Sequence, residues 1–107
     1  MRYVLFRKDK PGMADLRSRL QPEHHAYQAP FLPFIVFGGG LVDDATDTGG
    51  AVDIGAVKGN AIVFEVADRQ TVEDYHANDP YTRAGLFETA FIERLWQRVP
   101  PPDSPDP

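Results

Sequence analysis

Two stretches of the chain, Tyr3-Val4-Leu5-Phe6 and Ala61-Ile62-Val63-Phe64, are apolar at every consecutive position, and they restrict the fold more than any other feature. Successive side chains of an extended segment point to opposite sides, so a strand apolar on both sides must be covered on both. The pattern predicts strands over residues 2–7 and 60–66, both central in a sheet. Phe34-Ile35-Val36-Phe37 reads as another strand, closed by Gly38-Gly39-Gly40, where the lack of side chains permits a sharp bend or close packing. Residues 87–96 form the last candidate strand. Glu88, Glu93 and Arg94 interrupt its alternation, which fits an edge or an interface.

The segments between these strands carry helical spacing. After the turn residues Asp9-Lys10-Pro11-Gly12, the side chains Met13, Leu16, Leu20, His24, Tyr27 and Phe31 recur every three or four positions, the spacing of one helical face. Pro22 has no N–H and crowds the preceding turn. A break is therefore expected at Gln21, with Pro22 opening a second helical segment that Pro30 and Pro33 end. Asp68 suits the N-cap of a helix from Arg69 to about Asn78, with Val72, Tyr75 and His76 turned inward. Asp79-Pro80 stops that helix, and Pro80 opens a single turn through Ala84 that Gly85 terminates. The acidic, glycine-rich run between Val42 and Gly59 reads as an exposed hairpin-like loop with a short ribbon at Ala51–Val57. Five of the ten prolines lie beyond Val99. Residues 99–107 are thus expected to be an extended or disordered tail, leaving 1–98 as the folded domain.

Strand, helix, strand, strand, helix, strand is the split plan of α+β ferredoxin-like folds, βαββαβ with an antiparallel four-stranded sheet. Two helices cover one face of such a sheet. The other needs an apolar cover, and the simplest is a second copy, so a homodimer packed through the open sheet face is predicted. A chain of 107 residues holds one such domain and buries roughly two-thirds of its unfolded surface. A net charge of −5 with scattered Lys and Arg argues against a nucleic-acid partner. Absence of cysteine excludes disulfide and thiolate chemistry. The first residues are too short and too interrupted by arginine for a signal segment. No apolar run approaches the ~20 residues of a membrane span, and a soluble, cytoplasmic protein is expected.

Taken together, Tyr3-Val4-Leu5-Phe6, Asp9-Lys10-Pro11-Gly12, Arg17, Pro22-Glu23-His24-His25-Ala26-Tyr27, Gly39-Gly40-Leu41, Gly59-Asn60 and Asp79-Pro80-Tyr81-Thr82-Arg83-Ala84-Gly85-Leu86-Phe87 resemble the YciI-like (YCII-related) proteins. The likeness runs from Met1 to about Trp96. It implies a dimeric α+β barrel and a site in which a histidine and an aspartate meet, here His24 and Asp79. Two positions depart from the family pattern. Gly39-Gly40-Leu41 stands for the usual Gly-Pro-Leu, and Gly59-Asn60 for the usual Gly-Ser, replacing a hydroxyl by an amide of different reach.

The residues themselves allow that chemistry and also blander roles. An imidazole in a row of core side chains must find a partner or line a cavity, since an unsatisfied buried polar group costs about 1–3 kcal/mol. A core histidine bonded to a backbone carbonyl meets that need equally well. A carboxylate that fixes one ring nitrogen leaves the other free to take or give a proton near neutral pH. Asp79 is also a suitable N-cap for the turn at Pro80. Tyr27, Gly39, Asn60 and Arg83 are the candidate substrate contacts, although a tyrosine placed like Tyr27 is more often a core residue with its hydroxyl at the rim. Arg17, like Arg83, could hold an anionic group, but surface ion pairing is the commoner fate of an arginine; His25 is read as solvent-facing, and His76 as the second candidate histidine. No metal is expected, because His24 and His25 are adjacent and diverge on a helix and no His-x-x-x-His pair exists. No organic cofactor is expected either. The leading expectation is a small-molecule enzyme of lyase or isomerase type using His24 and Asp79. A non-catalytic ligand-binding or partner-binding dimer and a cofactor-free oxygenase are the alternatives.

Overall fold

A computed structural model describes residues 1–102. The elements run β1 (Arg2–Asp9), α1 (Ala14–Gln28), a 3-10 turn (Ala29–Phe34), β2 (Ile35–Gly40), a short 3-10 turn (Ile54–Ala56), β3 (Gly59–Glu65), α2 (Arg69–Asn78), α3 (Pro80–Arg83) and β4 (Phe87–Leu95). The strands form one antiparallel sheet in the order β2-β3-β1-β4, the ferredoxin-like α+β arrangement. The two doubly apolar segments are indeed the central strands, and the less regular β4 is an edge.

Alternation along β1 sorts its residues. Tyr3, Leu5 and Arg7 are buried beneath the helices, while Val4 and Phe6 point to the open face and are only half-buried. Register carries this division across the sheet, with Tyr3 opposite Phe64, Leu5 opposite Ile62 and Arg7 opposite Asn60. The core gathers Tyr3, Leu5, Ile62 and Phe64 from the sheet with Val72 and Tyr75 from α2. At the far end of the same row, polar Arg7 and Asn60 replace aliphatic packing. On the opposite face Phe6 stacks on Phe91 at 5.1 Å between ring centroids, and Phe37 and Phe91 remain 67% and 47% exposed.

Local chemistry accounts for most element ends. The Asp68 side chain accepts from the Thr71 N–H at 3.0 Å and caps α2. Asp79 caps α3 by accepting from the Tyr81 N–H, and Gly85 follows with φ +76°, a conformation that costs glycine nothing. Three expectations are corrected. Pro22 lies inside an unbroken α1 rather than at the start of a new segment. It sits on the exposed side, as does Ser18 one turn earlier, so water can satisfy the carbonyl whose N–H partner proline lacks. In place of the ribbon at Ala51–Val57 there is only a 3-10 turn, Ile54–Ala56, capped by Asp53. Arg17, expected at the surface, is buried with one guanidinium edge paired to both oxygens of Asp9, Nε to Oδ2 and Nη2 to Oδ1, each at 2.7 Å. The tail reading falls partly outside the described residues, since these end at 102. Among the described residues no helix is long and apolar enough to cross a membrane.

Candidate active site

His24 and Asp79, fifty-five positions apart, meet across α1 and the α2–α3 junction, with His24 Nδ1 donating to Asp79 Oδ1 at 3.0 Å. Each is brought there by local structure. The spacing of α1 turns His24 inward, and the residue before Pro80 must leave the helix, which aims the Asp79 side chain back toward α1. The same Oδ1 accepts from the Tyr81 N–H at 3.0 Å. Capping and pairing are therefore done by one oxygen. The His24 ring stacks on Tyr81 at 4.2 Å between centroids, and the Arg17 guanidinium lies 4.7 Å from the centre of the same ring. The imidazole is thus held by a hydrogen bond and by a flat aromatic support.

The second carboxylate oxygen faces Arg7. Arg7 Nη1 is 3.0 Å from Asp79 Oδ2, and both side chains are 0% exposed. The contact is an ion pair rather than an aligned hydrogen bond, for Asp79 Oδ2 and Arg7 Nη2 each lack a hydrogen-bond partner. Arg7 Nε donates to Asn60 Oδ1 at 2.9 Å, and the guanidinium lies 4.3 Å from the Phe87 ring centre. Burial alone would raise the Asp79 carboxyl, but the His24 hydrogen bond and the Arg7 charge outweigh it and hold the carboxyl below the ordinary carboxylate value. Asp79 is accordingly an anion at neutral pH. An anion that accepts from Nδ1 fixes the proton on that nitrogen and leaves the lone pair of His24 on Nε2.

A cavity of about 350 Å³ opens beside this pair. His24, His25, Arg17 and Tyr81 line it from the helices, and Gly38, Gly39, Gly40 and Asn60 from the sheet. His24 Nε2 and Asn60 Nδ2 have no hydrogen-bond partner among the described residues. Of the expected contacts, Gly39 and Asn60 are therefore at the cavity with His24. Tyr27 is not: it lies over Tyr75 and Phe31 and donates its hydroxyl to the Tyr75 carbonyl at 3.0 Å. Arg83 is exposed on α3 and does not line the cavity. His76 lies behind the site, its Nδ1 3.4 Å from Arg7 Nη1 and 3.3 Å from Thr82 Oγ1. Burial, and after it the Arg7 charge, lowers its pKa. No three His, Asp or Glu side chains among the described residues are grouped to hold a metal ion.

Sequence reasoning missed Arg7 and Tyr81 as members of the site. Arg7 was legible in one respect, since it shares the period-two row of Tyr3 and Leu5 and so had to enter the covered side of a central strand. Tyr81 stood within the Asp79-Pro80-Tyr81 motif, but nothing in the spacing showed which ring would stack on it.

Among solved structures, the chain is similar to 5-chloro-2-hydroxyhydroquinone dehydrochlorinase (TftG) from Burkholderia phenoliruptrix AC1100, determined in complex with 2,5-dihydroxybenzoquinone. Identity is 30%, the match covers 90% of this chain and 94% of that one, and the TM-score is 0.78. An antibiotic biosynthesis monooxygenase matches at 16% identity over 90% of this chain and 96% of its own, with a TM-score of 0.49. No match was found among curated proteins. Residues 1–95 match the model of the YCII-related domain, and the chain belongs to that family.

Proposed function

We propose that the protein is a small-molecule enzyme that removes a proton from a hydroxylated ring compound and thereby drives elimination or isomerisation. The observation that carries this reading is the anchored imidazole: His24 Nδ1 is tied to a buried carboxylate while Nε2 remains unengaged beside a cavity. In the proposed step, Nε2 takes a proton from substrate O–H or C–H. The released electron pair forms a new π bond in the ring system. In the eliminating case it expels a leaving group such as halide with its own bonding pair. Asp79 stabilises the imidazolium so formed without itself becoming protonated. No electrons are gained or lost overall, so the step asks for no redox cofactor. The dehydrochlorinase similarity supports the eliminating form. A homodimer through the apolar open face, where Phe37 and Phe91 are exposed, belongs to the same proposal.

The test is chloride release and quinone absorbance with chlorinated hydroxyhydroquinones, comparing wild type with His24→Ala. A drop of about 10²–10⁴ in kcat/KM with the fold retained is expected, that being the usual contribution of a positioned acid/base. Ligand binding without turnover by wild type would instead identify a binding module. A rate that depends on dissolved oxygen would identify an oxygenase.

A further inference from the structure

We propose that Arg7 is a positioning residue that sets two walls of the cavity at once, holding Asp79 against His24 and turning the Asn60 amide so that its NH2 group faces the cavity. The proposal rests on the acid/base reading of His24 and adds a requirement on the substrate: an oxygen acceptor close to the proton that is removed.

A guanidinium can only donate. The Asn60 atom 2.9 Å from Arg7 Nε must therefore be the oxygen, which assigns the amide without ambiguity and leaves Nδ2 as the free donor. Asn60 lines the cavity and Arg7 does not. At its other end the same planar group lies 3.0 Å from Asp79 Oδ2, and the remaining carboxylate oxygen takes the proton-bearing nitrogen of His24. One rigid fork thus fixes the histidine tautomer on α1 and the amide orientation on β3. Phe87, Tyr75 and His76 surround it, leaving little freedom to rotate. The arrangement is poorly suited to stability alone, because Nη2 stays buried without a partner. For a base at Nε2, a fixed donor on the facing wall is what a developing oxyanion needs. A phenolic or quinonoid oxygen next to the reacting position meets that description.

The charged and titratable groups around Asp79 are Arg7 from β1, His24 and Tyr27 from α1, Tyr75 and His76 from α2 and Tyr81 from α3. NMR of the folded protein reads the network directly, through the ¹⁵N shifts of His24 and the ¹³C titration of the Asp79 carboxyl. Wild type should show the Nδ1–H tautomer. In Arg7→Met the carboxyl midpoint should rise by about 1–3 pH units, the usual effect of removing an adjacent cation. Arg7→Lys, which keeps the charge but not the fork, should bring the midpoint back. Asn60→Asp keeps an acceptor for Arg7 Nε and supplies the same readout if Arg7→Met does not fold, because a second carboxylate shares the guanidinium and raises the Asp79 midpoint. It should also weaken binding of 2,5-dihydroxybenzoquinone at least about tenfold, since it presents an anion where a donor stood. An unchanged Asp79 midpoint in either folded variant overturns the proposal. Wild type that shows the coupling but turns over no substrate defeats the catalytic reading and leaves the positioning role standing.

Discussion

Asp79→Asn separates the charge of the buried carboxylate from its capping role. The amide keeps an oxygen for the Tyr81 N–H, so α3 retains its cap. What disappears is the anion 3.0 Å from Arg7 Nη1, in a place where neither side chain reaches solvent. Leaving one member of a fully buried pair uncompensated costs about 3–5 kcal/mol, whereas loss of an N-cap costs only about 1 kcal/mol. Urea unfolding at neutral pH, read by circular dichroism, should therefore give a loss of about 3–5 kcal/mol for Asp79→Asn. Replacing both charges, as Arg7→Met with Asp79→Asn, should recover a large part of it. The loss also has a pH signature. The folded carboxyl titrates below its unfolded value, so its stabilisation is complete above the unfolded value of about 3.9 and vanishes as pH falls through the folded one. The gap between wild type and variant should narrow below about pH 4. A loss under about 1 kcal/mol, or a gap indifferent to acid, would refute the claim that Arg7 and Asp79 form a coupled charged pair.

Gly59→Ala would place a Cβ 2.3 Å from the Arg7 carbonyl oxygen, which is backbone of the adjoining strand and cannot yield; the thermal midpoint should fall by the equivalent of about 1–3 kcal/mol or more, and an unchanged melt would contradict the β1–β3 register. Phe37→Glu and Phe91→Glu each put a carboxylate on the exposed apolar face, and sedimentation velocity should show wild type at twice the chain mass and both variants at the single mass; a monomeric wild type ends the dimer proposal. Burial pushes the Tyr75 hydroxyl up to about 12, so this tyrosine should stay un-ionised at about pH 11 in an ultraviolet titration of the folded protein. The stability it contributes is fully present below about pH 10 and is lost as pH rises toward the folded value; ionisation near pH 10 without unfolding would show that the ring is not buried as described.

The strand order could be read because apolar alternation reports directly on how many faces of a strand are covered. Tyr3-Val4-Leu5-Phe6 and Ala61-Ile62-Val63-Phe64 needed two coverings, and only the centre of the sheet supplies them. Helix ends governed by local chemistry were equally accessible, as at Asp68, Asp79 and Gly85. Pro22 was misjudged because the cost of a missing N–H depends on whether water reaches the orphaned carbonyl, which is a tertiary property. The placement of His24 beside Asp79 followed from family resemblance; spacing alone showed only that an imidazole would face inward. Arg7 and Arg17 were harder, since arginine in a strand or on a helix is usually solvent-facing and its burial depends on a carboxylate elsewhere in the chain. Asp9 supplies that partner for Arg17, and Asp79 for Arg7.

Helix α1 buries polar residues more deeply than its leucines. Of its fifteen residues, the two that are buried are Arg17 and His24, while Leu16 and Leu20 on the same side are only half-covered. A helix held mainly by its apolar stripe would bury the leucines first, because each contributes about 1.5–3 kcal/mol when fully covered. Here the deepest positions instead hold a guanidinium tied to Asp9 and an imidazole tied to Asp79, both lining the same cavity. Buried pairs of this kind are commonly no more stable than apolar residues of equal volume. Their concentration at one cavity wall, while ordinary aliphatic and aromatic packing fills the rest of the core, is the pattern expected where local stability has been given up for a fixed constellation of donors and acceptors.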